Sequence, residues 1–134
     1  MIGIDSNVLI RLLVNDQQEQ AQAAADLLRD RGSESVRVAN VVIAETVWVL
    51  GRHYRQEKAK IIEIIVLLLG REELVFEGRS ALMTALNWYE RGKADFADYL
   101  IAASNAEAGA SPTYTFDQNA ATHPLFAELP TRTN

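Results

Sequence analysis

The segment IGIDSNVLIRLL at residues 2–13 is the most informative part of the sequence for the fold. Its first three residues, Ile2 to Ile4, form a short and largely β-branched apolar run, which is typical of a buried strand. Asp5, Ser6 and Asn7 interrupt this run with side chains that can accept hydrogen bonds from the first turn of a helix. Apolar residues resume from Val8 to Leu13. The stretch therefore predicts a strand that leads directly into a helix, with an acid between them.

The same alternation of strands and helices continues along the chain. Short apolar runs predict three further strands, at residues 36–39, 74–76 and 112–116. The predicted helices cover residues 19–31, 41–54, 58–69, 80–90 and 95–108, with Asn40 as the expected cap of the helix at 41–54. Strands separated by pairs of helices favour a parallel sheet with helices on both faces. We therefore predict one three-layer α/β/α domain over residues 1–134, with a central, mostly parallel sheet of four to five strands.

Composition excludes several classes of protein. The chain has 134 residues, a net charge of −5 and no cysteine, so a zinc site built on Cys, an iron–sulfur cluster and a Cys nucleophile are all excluded. The longest apolar segment, residues 61–69, contains Glu63 and is much shorter than the roughly 20 residues of a spanning helix. The N-terminal residues lack the positive segment of a signal peptide. We expect a cytoplasmic protein with no membrane segment.

Three of the acids lie in unusual surroundings. Most acids in the chain have charged neighbours, as in Arg29-Asp30-Arg31, and are expected on the surface. Asp5, Glu45 and Asp98 instead lie among apolar residues, with no Lys or Arg within four positions. A carboxylate on a buried surface costs several kcal/mol unless it is hydrogen-bonded, protonated or bound to a cation. These three acids are therefore candidates for a functional site.

Each candidate also has a purely structural explanation. Asp5 could only cap the helix that follows it, and Asp117 could only form a turn after the last predicted strand. Asp95 could cap its helix, with Asp98 near the positive helix end. Glu45 is harder to explain in this way, because its helix is apolar almost all round. We expect Glu45 to face a polar pocket inside or beside the core.

The predicted sheet would bring these acids to one edge. In open parallel sheets, ligands bind outside the carboxyl ends of the strands. Carboxylates gathered there repel one another, so they must take up protons or a hard divalent cation. Oxygen ligands select Mg²⁺ or Mn²⁺, and these ions share their coordination with phosphate oxygens. The sequence therefore favours metal-dependent hydrolysis of a phosphodiester bond.

The motifs together resemble a PIN domain, specifically the VapC-type toxins. The resemblance rests on residues 4–11 (IDSNVLIR), 44–45 (AE), 94–103 (ADFADYLIAA) and 115–117 (TFD), and it covers nearly the full length of the chain. It implies a metal-dependent ribonuclease of a type II toxin–antitoxin system. It also implies a homodimer and an antitoxin partner whose C-terminal segment occupies the toxin groove.

The resemblance also assigns roles to individual residues. Four acids match metal-binding and catalytic positions: Asp5, Glu45, Asp98 and, at the more variable position, Asp117. Three residues match supporting positions: Asn7, Asp95 and Thr115. Basic residues near the groove would contact the RNA backbone, and the candidates are Arg11, Arg52 and Lys93.

Aromatic residues could take part in RNA binding as well. Trp48, Trp88 and Tyr99 could stack on bases or form a dimer surface, with core packing favoured for Trp48. His53 and His123 are expected at the surface or at helix ends, because neither lies near an acid motif.

Two other functions compete with the ribonuclease hypothesis. An aspartyl-phosphate enzyme would use an Asp at the end of the first strand as its nucleophile. The sequence disfavours this reading, because Asn7 stands where a second acid is expected and no later Lys lies in a matching apolar loop. The main alternative is a non-catalytic PIN-like binding module whose acidic pocket receives a basic segment of a partner.

Overall fold

The computed structural model describes residues 1–132, and within this range the chain forms five strands and six α-helices. The strands are β1 (Ile2–Gly3), β2 (Val36–Val38), β3 (Leu74–Phe76), β4 (Thr113–Thr115) and β5 (Phe126–Glu128). The helices are α1 (Ser6–Leu13), α2 (Gln18–Asp30), α3 (Asn40–Arg52), α4 (Lys58–Leu69), α5 (Arg79–Arg91) and α6 (Phe96–Glu107). A short 3₁₀ helix covers Ala120–Thr122. The predicted mixed α/β class is confirmed.

All strand pairs are parallel, as the sequence predicts. β1, β2 and β3 form a sheet in that order, with Val36 opposite both Ile2 and Leu74. β4 pairs with β5, and Thr113 lies opposite Phe126. The backbone hydrogen bonds thus divide the five strands between a three-stranded and a two-stranded sheet. β5 lies in the last part of the chain, for which the sequence pattern made no prediction.

The chain forms two compact units. The first runs from Met1 to Glu77 and contains the three-stranded sheet with α1 to α4. The second runs from Gly78 to Asn134 and contains α5, α6 and the two-stranded sheet. The single domain expected over residues 1–134 stays a prediction.

The first unit is built around its central strand. Val36 and Val38 of β2 are fully buried, whereas Arg37 between them is exposed. α1 packs against α2 and α3, and α3 packs against α4, so that Leu9, Ile43 and other aliphatic side chains are removed from water. The apolar segment at residues 61–69 forms most of α4. Within residues 1–132, no helix is both long enough and apolar enough to cross a membrane.

The second unit is held together by α5 and α6, which pack against each other. Both helices bury small residues, such as Ala85 of α5 and Ala103 of α6. Tyr99 of α6 is only 1% exposed, and its hydroxyl accepts a hydrogen bond from the Ala94 N–H at 3.2 Å. A Cβ built on Gly92 would overlap this hydroxyl and lie 2.7 Å from Tyr99 Cζ. Glycine is therefore required at position 92 by the close approach of the tyrosine ring.

Two predictions for α3 are wrong. Asn40 is the first residue of the helix and not its cap: the cap position is occupied by Ala39, which has no side chain to bond the helix. The Asn40 amide oxygen is buried and has no hydrogen-bond partner among residues 1–132. Trp48, expected in the core, is 61% exposed. Because α3 carries apolar residues on every side, the pattern could not indicate which side faces the core.

Candidate active site

Asp5 combines a capping role with an exposed carboxylate. It follows β1 and Ile4, and it occupies the N-cap of α1. Its Oδ1 accepts a hydrogen bond from the Val8 N–H at 2.9 Å, as expected for a cap. No residue in the range 1–132 donates a hydrogen bond to its second oxygen, Oδ2. The cap bond therefore fixes the carboxylate and leaves one oxygen for a ligand.

A cavity of about 340 Å³ lies beside Asp5, between α1 and α2. Its polar lining comes from Asp5, Asn7, Arg11 and Gln20, and its apolar lining comes from Val8, Ala23, Ala24 and Leu27. Asn7, predicted to support Asp5, thus lines the same cavity as this acid.

Arg11, a predicted RNA contact, is engaged by neighbours within the first unit. Its Nη1 donates to Asp16 Oδ1 at 2.9 Å and to the Tyr54 hydroxyl at 3.2 Å, and its Nε donates to Gln20 Oε1 at 2.7 Å. The Tyr54 hydroxyl in turn donates to Asp16 Oδ2 at 2.8 Å. This network ties α1 to the loop before α2 and to the end of α3. Arg11 would have to leave these partners, at least in part, to bind a phosphate.

Glu45 was expected to face a polar pocket inside or beside the core, and it lies on an exposed side of α3, which excludes the position inside the core. Its carboxylate has no hydrogen-bond or ion-pair partner among residues 1–132. Residues spaced by four, three and four positions share one side of a helix. Val41, Glu45, Trp48 and Arg52 have this spacing and are all exposed, and we call this set the outer face of α3.

In the second unit, Asp98 lies in the first turn of α6, three residues after Asp95. Asp95 occupies the N-cap but makes no side-chain hydrogen bond to the helix. Partial burial raises the pKa of the Asp98 carboxyl, and the negative charges of Asp117 and Asp95 raise it further. A hydrogen bond from the Asp95 backbone opposes part of this change. Asp98 is therefore a carboxylate whose ionised form is disfavoured by like-charged neighbours.

Asp117 is fixed by a turn that begins in β4. Its Oδ1 accepts hydrogen bonds from the Asn119 N–H at 2.8 Å and from the Ala120 N–H at 3.1 Å. Its own N–H donates to Thr115 Oγ1 at 2.9 Å. The turn role considered for Asp117 is thus real, and Thr115 orients the same turn. As at Asp5, one carboxylate oxygen bonds the backbone.

Three acids of the second unit have no salt-bridge partner in the part of the chain that the structure describes. Within residues 78–132, no salt bridge involves Asp95, Asp98 or Asp117. Lys93 is exposed, in the loop before α6. Carboxylate oxygens without a basic partner are the donors that Mg²⁺ and Mn²⁺ prefer, so the donor set fits these ions. Over residues 1–132, neither unit places three or more His, Asp or Glu side chains in a ready-made metal-binding group.

Sequence reasoning missed Glu77, which supports the helix that carries Glu45. Glu77 Oε1 accepts the Asn40 N–H at 2.8 Å, at the start of α3, and lies 3.9 Å from Arg37 Nη2. It thereby supplies the acceptor that Ala39 cannot provide. The position of Glu77 in the sequence could have indicated this role, because Glu77 directly follows β3 much as Asp5 follows the first strand.

His123 is more closely packed than the sequence suggested. It ends the 3₁₀ helix, as expected for a helix-end residue, and its ring centre lies 4.2 Å from that of Trp88. Its Nδ1 accepts the Leu125 N–H at 3.2 Å. Burial lowers the pKa of the imidazole. His123 therefore packs against aromatic rings of the second unit.

Comparison with known proteins gives one clear relationship. The sequence model of the PIN domain family matches residues 2–123 and so covers all of α1 to α6. No curated protein matches the chain significantly.

Proposed function

The chain belongs to the PIN domain family, and we propose that it is a metal-dependent endoribonuclease, the VapC-type toxin of a type II toxin–antitoxin system. PIN domains are generally nucleases, so family membership indicates a nuclease-type function. The observation that carries the proposal is the set of acids around Asp98, whose pKa is raised by burial and by the unneutralised charges of Asp117 and Asp95. Such a set binds a divalent cation favourably, because the cation removes the repulsion.

We assign Asp5, Glu45, Asp98 and Asp117 as the ligands of Mg²⁺ or Mn²⁺. When bound, the ion would lower the pKa of the attacking water and would place positive charge near the leaving oxygen of the RNA. Asp5 and Asp117 are suited to this role because backbone N–H groups hold one carboxylate oxygen of each. Groups held in this way lose little conformational freedom when a ligand binds.

The supporting residues act through the acids. Thr115 Oγ1 accepts the Asp117 N–H and so sets the orientation of that carboxylate. Asn7 shares the cavity beside Asp5, and we assign it to the positioning of this acid or of a nearby RNA group. Asp95 adds negative charge next to Asp98 and strengthens the attraction for a cation.

The proposed partners follow from the same chemistry. RNA is the substrate, and exposed basic residues such as Arg52 and Lys93 contact its phosphates. A cognate antitoxin inhibits the enzyme by placing an Arg or Lys against the acids, where charge-assisted hydrogen bonds are strong. We also propose that the protein acts in the cytoplasm as a homodimer.

The decisive experiment replaces Asp98 by Asn and measures RNA cleavage by the purified protein. Wild type should cleave RNA with Mg²⁺ or Mn²⁺ and should be inactive in EDTA. Asp98→Asn should cleave at least about 100-fold more slowly than wild type. Asp26→Asn is the matched control, since Asp26 is paired with Arg29 on the surface of α2 and should keep full activity.

The stability of the same variant excludes unfolding as the cause. Because the Asp98 pKa is raised, ionisation of this carboxyl costs stability at neutral pH, so Asp98→Asn should be at least as stable as wild type in EDTA. Thermal unfolding followed by circular dichroism measures this. Full metal-dependent cleavage by Asp98→Asn would refute the proposal.

A non-catalytic binding module is favoured by one observation. Within residues 1–132, neither unit has three acids already gathered into a metal-binding group. Calorimetric titration with Mn²⁺ separates the two functions. A protein that binds no Mn²⁺ at millimolar concentration, but binds an Arg-rich peptide tightly, is a binding module.

A further inference from the structure

Trp48 is exposed to a degree that is unusual for its size. The side chain is 61% exposed on a helix whose other side is fully buried at Ile43 and Leu50. A large aromatic surface in water is unfavourable, and a partner that covers it removes this cost. This ring therefore offers a free surface to a ligand.

The neighbours of Trp48 on the outer face of α3 are charged. With 100° per residue, the four members of this face fall within an arc of about 60°. Glu45 precedes Trp48 by about 4.5 Å along the helix axis, and Arg52 follows it by about 6 Å. Acid, aromatic ring and cation thus lie in one row, each about one turn from the next.

This arrangement suits a nucleic acid strand. A single-stranded RNA presents a phosphate, an unpaired base and a further phosphate in close succession. A cation held by Glu45 would face the first phosphate, the indole would face the base, and the Arg52 guanidinium would face the second phosphate. Among residues 1–132, Arg52 has no salt bridge, so its charge is available.

A protein partner fits this face less well. An interface core is normally poor in charged residues. On the outer face of α3 the charged residues alternate with the apolar ones. By contrast, α4 exposes Val66 and Leu67 next to each other, 54% and 66% exposed, with no charge between them. A surface that binds another protein is expected to be free of charged residues, like the exposed part of α4, and not mixed, like the outer face of α3.

We propose that the outer face of α3 is a base-stacking platform for single-stranded RNA. Trp48 stacks on one unpaired base, and Arg52 contacts the adjoining phosphate. The inference rests on the proposed function, because it places the nucleotide next to a cation held by Glu45. It adds two positioning residues to the proposed site, Trp48 for an unpaired base and Arg52 for a phosphate, since a base within a duplex cannot stack on a side chain.

The fluorescence of Trp48 itself can report whether RNA stacks on this residue. A Trp88→Phe, Asp98→Asn protein has Trp48 as its single tryptophan and, by the proposed function, does not cleave the probe. Fluorescence is followed with Mg²⁺ present while an oligoadenylate of about ten nucleotides is added, either single-stranded or annealed to its complement. Binding is measured independently by anisotropy of end-labelled RNA.

We expect the single strand to quench Trp48 fluorescence and the duplex to leave it unchanged. In the same Asp98→Asn background, Trp48→Ala should weaken binding of the single strand by about 5- to 150-fold, and Trp48→Phe should restore most of the affinity. Arg52→Gln should reduce the slope of log affinity against log salt by about 0.7. Leu67→Ala removes an equally exposed apolar side chain from α4 and should have no effect.

Other outcomes would overturn the platform. One is RNA binding, seen by anisotropy, without any quenching of Trp48; another is the absence of binding altogether. A third is a Trp48→Ala protein that keeps its RNA affinity but changes from dimer to monomer in light scattering, which would make this face a protein interface. Quenching by RNA together with inactivity of the wild type would instead support the platform and refute the nuclease function.

Discussion

Asp5 has two separable roles, and substitution can distinguish them. Its Oδ1 accepts the Val8 N–H at 2.9 Å and caps α1, while the charge is assigned to cation binding. Asn is as good an N-cap as Asp, whereas Ala has no acceptor. Asp5→Ala should therefore lower the free energy of unfolding by about 1 kcal/mol, and Asp5→Asn by no more than about 0.5 kcal/mol. Both should abolish metal-dependent cleavage.

The assay combines stability with metal response. At this chain length, a loss of about 1 kcal/mol lowers the melting temperature by about 4 °C, which differential scanning calorimetry resolves. Melting is recorded in EDTA and then with Mn²⁺ in excess. Wild type should gain stability from the ion by mass action, and the two variants should gain much less.

Two results would refute this reasoning. If Asp5→Asn in EDTA is as unstable as Asp5→Ala, the contribution of Asp5 to stability comes from its charge and not from the cap bond. If Asp5→Asn keeps the full metal response and full cleavage, the charge of Asp5 is not needed to bind the ion. Asp30→Asn is a suitable control, since Asp30 is an exposed acid at the end of α2.

Two further predictions concern support of the fold. Glu77→Ala removes the acceptor for the Asn40 N–H and should cost about 1 kcal/mol in urea unfolding, whereas Glu77→Gln keeps an acceptor and should cost clearly less; equal losses would show that the bond at 2.8 Å does not contribute. Because burial lowers the pKa of His123, the unfolded chain binds more protons below about pH 6.5, so stability should fall as the pH drops through this range. His123→Phe should reduce this slope in urea titrations between pH 7.5 and about 5, and an unchanged slope would assign it to other groups.

Local signals predicted most elements well. Every helix lies within two residues of its predicted bounds, because capping acids, glycines and apolar runs act over a few neighbouring residues. Asp5 illustrates this: an acid after a β-branched run indicated both the strand end and the helix cap. β5 escaped prediction because Phe126–Glu128 contains Ala and Glu beside a single large apolar residue, whereas the equally short β3 is the apolar run Leu74–Phe76.

Long-range contacts explain the errors. Asn40 resembles a cap in the sequence, but its N–H is satisfied by Glu77, which lies 37 residues later in the chain. Trp48 lies in an apolar helix whose core side is decided by the helices packed against it, so periodicity alone could not place the ring. The same limit applies to the acids: their chemistry is visible in the sequence, whereas the charges that raise the Asp98 pKa depend on packing.

The caps at Asp5 and Asp117 also have a genetic consequence. A single base change converts an Asp codon to an Asn codon, and Asn keeps the capping oxygen that the backbone uses at both positions. Under the proposed function, such alleles would encode proteins that fold but do not cut RNA, and the lost charge would weaken the contact with a basic side chain of the antitoxin. Selection against RNA cleavage is therefore expected to accept Asn at both positions with little loss of folding.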